Sequence, residues 1–297
     1  MNYPKISIVT PTFNQGQFIE QTIQSVLVQE YPNLEYNIID GGSTDNTIGV
    51  IKKYEKHLKF WVSEKDKGQA HAINKGLMHC TGEIFNWLNS DDYLEPGALY
   101  IISDTFKNNA QMVAGKVRLF DSDKTIEYVQ HAKLSAEGLM NWLPGVQFVQ
   151  PGVWMKRDLI SRCGGIEETL HYSFDWDLYI RYLSKFPRIK YTDNLLIHFR
   201  YHDMSKTVSS LDKFHQEELL IIKKLSTQKE DIKLQKIALG LLSARQLRSS
   251  LKIIANDSAT SRLKKLQLIM QLASKNKWVH YRTTGCAFKK AILGKKI

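Results

Sequence analysis

The chain has 297 residues, enough for one large domain or for one domain with an appendage. Its 43% hydrophobic and 24% charged residues are the balance of a globular protein, and its three cysteines, Cys80, Cys163 and Cys286, form no CxxC pair. That argues against a disulfide scaffold or a zinc site and suits a reducing compartment. The formal net charge of +11 gathers at one end, since residues 211–297 hold 19 Lys/Arg against 6 Asp/Glu. A near-neutral body with a basic tail implies an anionic partner for the tail.

In chain order, Ile6 to Thr10 is apolar and β-branched and reads as a buried strand ended by Pro11. Phe18, Thr22, Val26 and Gln29, with Ile19, Ile23 and Leu27, give a helix with a wide apolar face. Leu34 to Asp40 is a second strand, broken by Gly41-Gly42. Ser43 or Thr44 caps a helix through Ile48, Ile51 and Tyr54. Phe60-Trp61-Val62 is a short third strand, Gly68 to His79 a helix closed by Gly82, and Ile84 to Leu88 a fourth strand. Pro96 suits the first turn of another helix, and Met112 to Phe120 is extended.

Strand and helix therefore alternate through about residue 110, the signature of a parallel α/β sheet, in which ligands bind beyond the carboxyl ends of the strands. Residues 111–210 are mixed and aromatic-rich. Beyond Ser210, Glu218 to Leu225, Ile232 to Leu247 and Leu263 to Ala273 read as basic amphipathic helices. No internal repeat or low-complexity segment is evident. No apolar run approaches the roughly 20 residues that span a bilayer. The start, MNYPKISIVT, lacks the order of a signal peptide, so a cytoplasmic protein is expected.

Polar residues collect at the strand ends: Thr10-Pro11-Thr12, Asp40-Gly41-Gly42 and Asn89-Ser90-Asp91-Asp92. Asp91 could simply cap a helix ahead of Pro96, and Asp40 could be a turn aspartate before two glycines. Adjacent carboxylates repel, however, and a hard divalent cation relieves that repulsion. Mg²⁺ or Mn²⁺ takes one or two carboxylates and completes its shell with substrate phosphates. No GxGxxG follows the first strand, which disfavours a nicotinamide enzyme.

The ordered segments ISIVTPTFNQGQFIEQTIQSVLVQEYPNLEYNIIDGGSTDNT, EKDKGQAHAINKG, TGEIFNWLNSDDYLEPGAL, QPGVWMKR and FDWDLYIRY carry a resemblance. Over roughly residues 4–205 the chain resembles the family 2 glycosyltransferases, inverting nucleotide-sugar enzymes with the GT-A fold. The resemblance implies an α/β catalytic domain over 1–210, with a nucleotide-binding half (1–110) and an acceptor-side half (111–210), followed by a helical region (211–297). It implies that Thr10, Pro11 and Thr12 line the nucleotide pocket and that Asp40 binds the base, usually uracil. Asp66, Lys67, Gly68 and Asn74 would pack on the nucleotide and its phosphates. Asn89-Ser90-Asp91-Asp92 stands where the family has DxD. With Asn89 at the first acidic position, metal contact shifts to Asp91, and Asp92 lies near the donor sugar. Gln150 opens a loop facing acceptor and sugar, on the side of Trp176. Phe174-Asp175 stands where Glu-Asp is common, so Asp175 inherits the role of general base; on its own, Asp175 could simply favour a helix first turn. His202 would reach the metal or the diphosphate, while Arg200 and Lys206 read as surface charges before phosphate ligands.

The implied activity is metal-dependent, inverting transfer of a sugar from a nucleoside-diphosphate donor, UDP-linked, to a glycan or lipid-linked glycan in surface polysaccharide synthesis. A nucleotidyltransferase is an alternative, although TPTFNQGQF carries no Lys or Arg for a nucleotide loop. A catalytically decayed nucleotide-sugar-binding subunit is another. The basic tail, with Phe288-Lys289-Lys290 near its end, suits peripheral contact with anionic lipid at the inner face of the plasma membrane, or plain packing on the catalytic domain. Nucleic acid is not expected as a partner, because aromatics are not interleaved with the basic residues.

Overall fold

The computed structural model describes residues 3–275 apart from 108, 142–145, 147, 203–204, 207–209 and 258–259; the expected lipid-facing segment around Phe288 lies outside the described residues. The chain divides into two compact units, residues 1–218 and 219–297.

In the first unit, strands and helices alternate as β1 (Ile6–Thr12), α1 (Ile19–Leu27), β2 (Leu34–Asp40), α2 (Thr47–Tyr54), β3 (Phe60–Ser63), α3 (Gln69–Met78) and β4 (Ile84–Trp87). There follow β5 (Tyr93–Leu94), α4 (Ala98–Thr105), β6 (Met112–Asp121), β7 (Lys124–Val129), α5 (Ala136–Asn141), β8 (Val153–Lys156), α6 (Arg157–Arg162), α7 (Phe174–Lys185) and β9 (Ile189–Arg200). Among the described residues these strands form one mixed sheet in the order β3-β2-β1-β4-β8-β6-β9-β5, with β7 hydrogen-bonded to β6. The β3-β2-β1-β4 half is parallel throughout, so the carboxyl ends of β1, β2 and β4 share one edge. β8 is antiparallel to both β4 and β6, and β9 runs parallel to β6.

Strand periodicity sorts the core. Ile6 and Ile8 of β1 join Ile19, Ile23 and Val26 of α1, Ile51 of α2 and Leu99 and Ile102 of α4 in one buried cluster. Val9 points to the opposite face, against α3. There a Cβ on Gly76 would sit 2.5 Å from Val9 Cγ1, so the helix approaches the sheet only because position 76 has no side chain. Phe85 and Trp87 share that second face, and the Trp87 ring stacks on Tyr179 of α7 at 6.2 Å. Burying each such aliphatic or aromatic side chain contributes roughly 1.5–3 kcal/mol.

Most expected elements appear within a few residues of their sequence boundaries. The helix expected at Pro96 instead begins at Ala98, because Glu95 N–H still pairs with Leu196 O beside β9 and the chain then turns through Gly97 at φ 78°. That left-handed conformation suits glycine. Beneath the sheet, Glu35 ties β1, β2 and the α3–β4 loop together. Its carboxylate accepts from Ser7 Oγ (2.7 Å), Thr81 N–H (2.7 Å), Thr81 Oγ1 (2.5 Å) and Gly82 N–H (3.1 Å). Burial alone would raise this carboxyl; the bonds from Thr81 and Ser7 overcome it and hold the pKa at about 2.

Helix α8 (Leu211–Thr227) begins in the first unit, eight residues before its boundary, so its opening turns belong to the α/β body although the sequence reading places them in the basic helical region 211–297. The second unit contains α9 (Ile232–Asn256) and α10 (Arg262–Lys275). Asp231 caps α9 by accepting Leu234 N–H at 2.9 Å. Leu247 and Leu251 pack with Ile269 in its small core. No helix of the described residues is long and apolar enough to cross a membrane.

Candidate active site

A cleft of about 640 Å³ opens at the carboxyl edge of the parallel strands. Pro11 and Thr12 at the end of β1, Asn89 to Asp91 after β4, Asp66, Gly68, Gln150, Asp175 and Trp176 all border it. Thr10, Asp40, Lys67, Asn74 and Asp92 do not. Thr10 Oγ1 is bonded to Tyr36 OH at 3.0 Å inside the sheet. Asn74 turns away to donate to Ile166 O and Glu168 Oε1, each at 2.9 Å. Asp40 is fully buried. Its carboxylate is occupied by Gly42 N–H (3.1 Å), Ser43 N–H (2.9 Å), Ser63 Oγ (2.6 Å) and the Ser43 hydroxyl. Asp40 thus shapes the Gly41-Gly42 turn, and Asp66 is the carboxylate on that side of the cleft. The turn glycines have separate reasons: Gly42 adopts φ 85°, and a Cβ on Gly41 would lie 2.8 Å from Asp66 Oδ2.

The tandem aspartates divide into two environments. Asp92 is buried, accepting Arg200 N–H at 3.0 Å and Asn89 Nδ2 at 3.2 Å. Burial, and the neighbouring Asp91 charge after it, push its carboxyl well above the usual carboxylate range. Asp91 faces the cleft, and its Oδ2 lies 3.0 Å from His202 Nε2. Two ligands bound side by side at about 2.1 Å to an octahedral cation stand roughly 3 Å apart, so this separation suits metal ligation as well as a hydrogen bond. Among the described residues no group of three or more His, Cys, Asp or Glu gathers into a closed cage. One carboxylate and one imidazole at this spacing suit the incomplete protein shell that Mg²⁺ or Mn²⁺ takes when phosphate oxygens and water complete it. Three buried polar atoms in this quarter, Thr12 Oγ1, Gln15 Oε1 and His202 Nδ1, have no partner among the described residues.

Asn89 is held on both sides, taking Gln69 Nε2 at 2.8 Å on Oδ1 and giving to Asp92. Lys206 continues the chain, donating to Gln69 Oε1 at 3.1 Å and His171 O at 3.2 Å. Arg200 lies between the rings of Phe18 and Phe120, 4.9 and 4.6 Å from their centroids, while its Nε donates to Asp91 O at 3.0 Å. Both basic residues border the cleft, so neither is a plain surface charge.

Asp175 stands in the first turn of α7, with Oδ1 accepting Trp176 N–H at 2.7 Å. Burial raises its carboxyl to about 6, against the downward pull of that N–H. The neighbouring Phe174, where an acid was expected by resemblance, is buried beside Trp87, 6.0 Å between ring centroids. Trp176 Nε1 donates to Leu139 O at 3.2 Å, which fixes the indole at the cleft wall. Gln150 donates to Asn86 Oδ1 and Trp87 O, each at 3.1 Å. Residues the motifs did not single out include Gln69, Tyr172 and Glu217. Gln69 lies inside a motif already recognised. Glu217 lies beside Glu218 at the start of a region that is basic overall, and no motif singles it out.

The family model described as glycosyl transferase family 2 matches residues 7–164, just over half of the chain. Chondroitin synthase of Escherichia coli is 25% identical over 218 residues, covering 70% of this chain but only 31% of that protein. Among solved structures, Staphylococcus aureus TarS (residues 1–349) in complex with UDP-GlcNAc superposes with a TM-score of 0.63 at 15% identity, over 97% of this chain and 88% of that one. Mannosyltransferase PcManGT from Pyrobaculum calidifontis, in complex with GDP-Man and Mn²⁺, gives a TM-score of 0.62 at 17% identity, over 99% and 87%. The fold is thus of the GT-A type, and the chain belongs to glycosyltransferase family 2.

Proposed function

We propose that this glycosyltransferase moves a sugar, with inversion, from a UDP-linked donor to a hydroxyl of a glycan or lipid-linked glycan acceptor during surface polysaccharide synthesis. The observation that carries the reading is that Asp91, paired with His202, and Asp175 border one cleft. The nucleoside lies against Pro11, Thr12 and Asp66, with the diphosphate toward Asp91, Lys206 and Arg200. Asp91 and His202 would hold a Mn²⁺ or Mg²⁺ ion, which would supply positive charge to offset that of the departing diphosphate. Asp175 takes the proton of the acceptor hydroxyl as that oxygen bonds to the anomeric carbon. The bond from that carbon to the phosphate oxygen breaks, and its electron pair leaves with the nucleoside diphosphate. With a pKa of about 6 the base is ionised in most molecules at pH 7, yet is more basic than an ordinary aspartate. The aromatic wall of Trp87, Phe148 and Trp176 offers the apolar faces that sugar rings cover.

A thermal-shift panel of nucleotide sugars with Mn²⁺, followed by turnover of the best donor, tests the reading. UDP-sugars should raise the melting temperature only with metal, and Asp175→Asn should bind the donor without releasing UDP. Donor binding indifferent to both metal and Asp91→Ala would refute it. The second unit exposes Ile232, Ile253, Leu263 and Met270 among lysines and arginines, which supports a peripheral contact with anionic lipid. Flotation with anionic vesicles at low salt checks this contact, and a protein that stays at the bottom of the gradient would exclude it.

A further inference from the structure

The turn that leads into α7 is held by a residue outside every recognised motif. Glu217 lies on α8, 42 positions from Asp175, and is only 9% exposed. Its Oε1 accepts His171 N–H at 2.7 Å, and its Oε2 accepts Tyr172 N–H and Ser173 N–H at 2.8 Å each. These are three successive amides, the last three before α7 begins at Phe174. Consecutive N–H groups converging on one anion form a tight, directional cradle, and each bond to a charged acceptor is stronger than a neutral one. Two further contacts of α8 brace the same segment: Ser173 Oγ donates to Phe214 O at 3.4 Å, and the Tyr172 and Phe214 rings meet edge-on at 5.4 Å. Asp175 follows Ser173 by two residues, so the backbone that Glu217 grips sets where the Asp175 carboxylate points.

We propose that Glu217 is a positioning residue for the general base, holding the 171–173 backbone so that Asp175 meets the acceptor hydroxyl. The proposal rests on the reading of Asp175 as base. Glu217 also acts on Asp175 electrostatically. Among the groups that face Asp175, Lys206, on the segment preceding α8, favours its ionised form, whereas Glu217 on α8 disfavours it; Tyr179 on α7 is the remaining titratable neighbour. Replacing Glu217 by Gln removes the charge and offers an NH₂ where one of the amides needs an acceptor. Replacing it by Asp keeps the charge and shortens the reach.

The test uses the full chain with Mn²⁺ and UDP-N-acetylglucosamine, water standing in for the acceptor, and reads UDP release. Glu217→Gln should lower kcat by about 10- to 100-fold with donor KM nearly unchanged, because a small misplacement of a catalytic group suffices for such a loss. The acid limb of its pH profile should move to lower pH. Glu217→Asp should keep the wild-type acid limb and lose less in kcat. Amide exchange, which needs no activity, should speed up at residues 171–173 in Glu217→Gln. Unchanged exchange there, or an acid limb that moves equally in both variants, would overturn the proposal. If Glu217→Gln fails to fold, the kcat and acid limb of Glu217→Asp decide. Asp175→Asn run in parallel separates the two claims. An active Asp175→Asn removes the base assignment, whereas an inactive one beside a wild-type-like Glu217→Gln removes only the role of Glu217.

Discussion

Replacing Asp175 with Asn should make the protein more stable and catalytically inert at once. The native carboxyl titrates at about 6 against an ordinary value of 3.8. A folded value raised above the unfolded one means that the folded state binds the proton more tightly. Stability therefore falls as pH rises from about 4 to about 6, and the full cost of the ionised group is present above that. The difference corresponds to about 3 kcal/mol at 1.36 kcal/mol per pH unit, and partial exposure to the wet cleft reduces it to roughly 1–2 kcal/mol. Asn keeps the oxygen that accepts Trp176 N–H, so the helix start survives. At ~2–4 °C per kcal/mol for a domain of this size, the variant should melt several degrees higher at pH 8, with the gain vanishing near pH 4. UDP release should fall by about 10²–10⁴-fold, the usual share of a general base. Melting curves across pH and a turnover assay check both halves. A variant that melts lower than wild type at pH 8, or turns over normally, would refute the reasoning.

Asp91→Ala should abolish the increment that Mn²⁺ adds to donor affinity while leaving the melting temperature near wild type; calorimetry with and without metal measures it. Glu35→Gln should destabilise the fold by about 2–3 kcal/mol at pH 7, since the native carboxyl is held at about 2 by its bonds. That deficit should shrink as pH falls from about 4.5 toward 2, because the depressed carboxylate stabilises only where it is ionised; urea titrations at several pH values read it. Gly76→Ala should cost about 1–3 kcal/mol through overpacking, its Cβ lying 2.5 Å from Val9, with donor KM unaffected in the folded fraction.

The parallel half of the sheet was legible because local signals agreed: β-branched runs such as Ile6 to Thr10, turn glycines at 41 and 42, and a helix period from Phe18 onward. The second half was harder. Strand β9 carries Thr192-Asp193-Asn194 in its interior, a turn-like string tolerated where its register with β6 shifts. The β6–β7 hairpin turns through Ser122 and Asp123 at φ 44° and 71°, left-handed without a glycine, so the usual dipeptide signal is missing. In the site, Asp91 was readable from its position at a strand end, whereas Asp175, which position alone would make a first-turn aspartate, was singled out by the resemblance. Which carboxylates are spent on the protein's own turns was not readable. Asp40 looks like a ligand-binding strand end, but four donors within the chain claim it. Glu217 was invisible for the opposite reason, as one of a few acids in a region of 87 residues whose overall charge is strongly basic.

The most direct test of a common cleft served from two sides is a crystal structure with a UDP-sugar and Mn²⁺, the metal located by its anomalous scattering. The ion should lie within bonding distance of Asp91 and His202, with the diphosphate beside it and the Asp175 carboxylate across the sugar from the leaving oxygen. Manganese elsewhere, or a sugar with Asp175 on the same side as the diphosphate, would contradict the account.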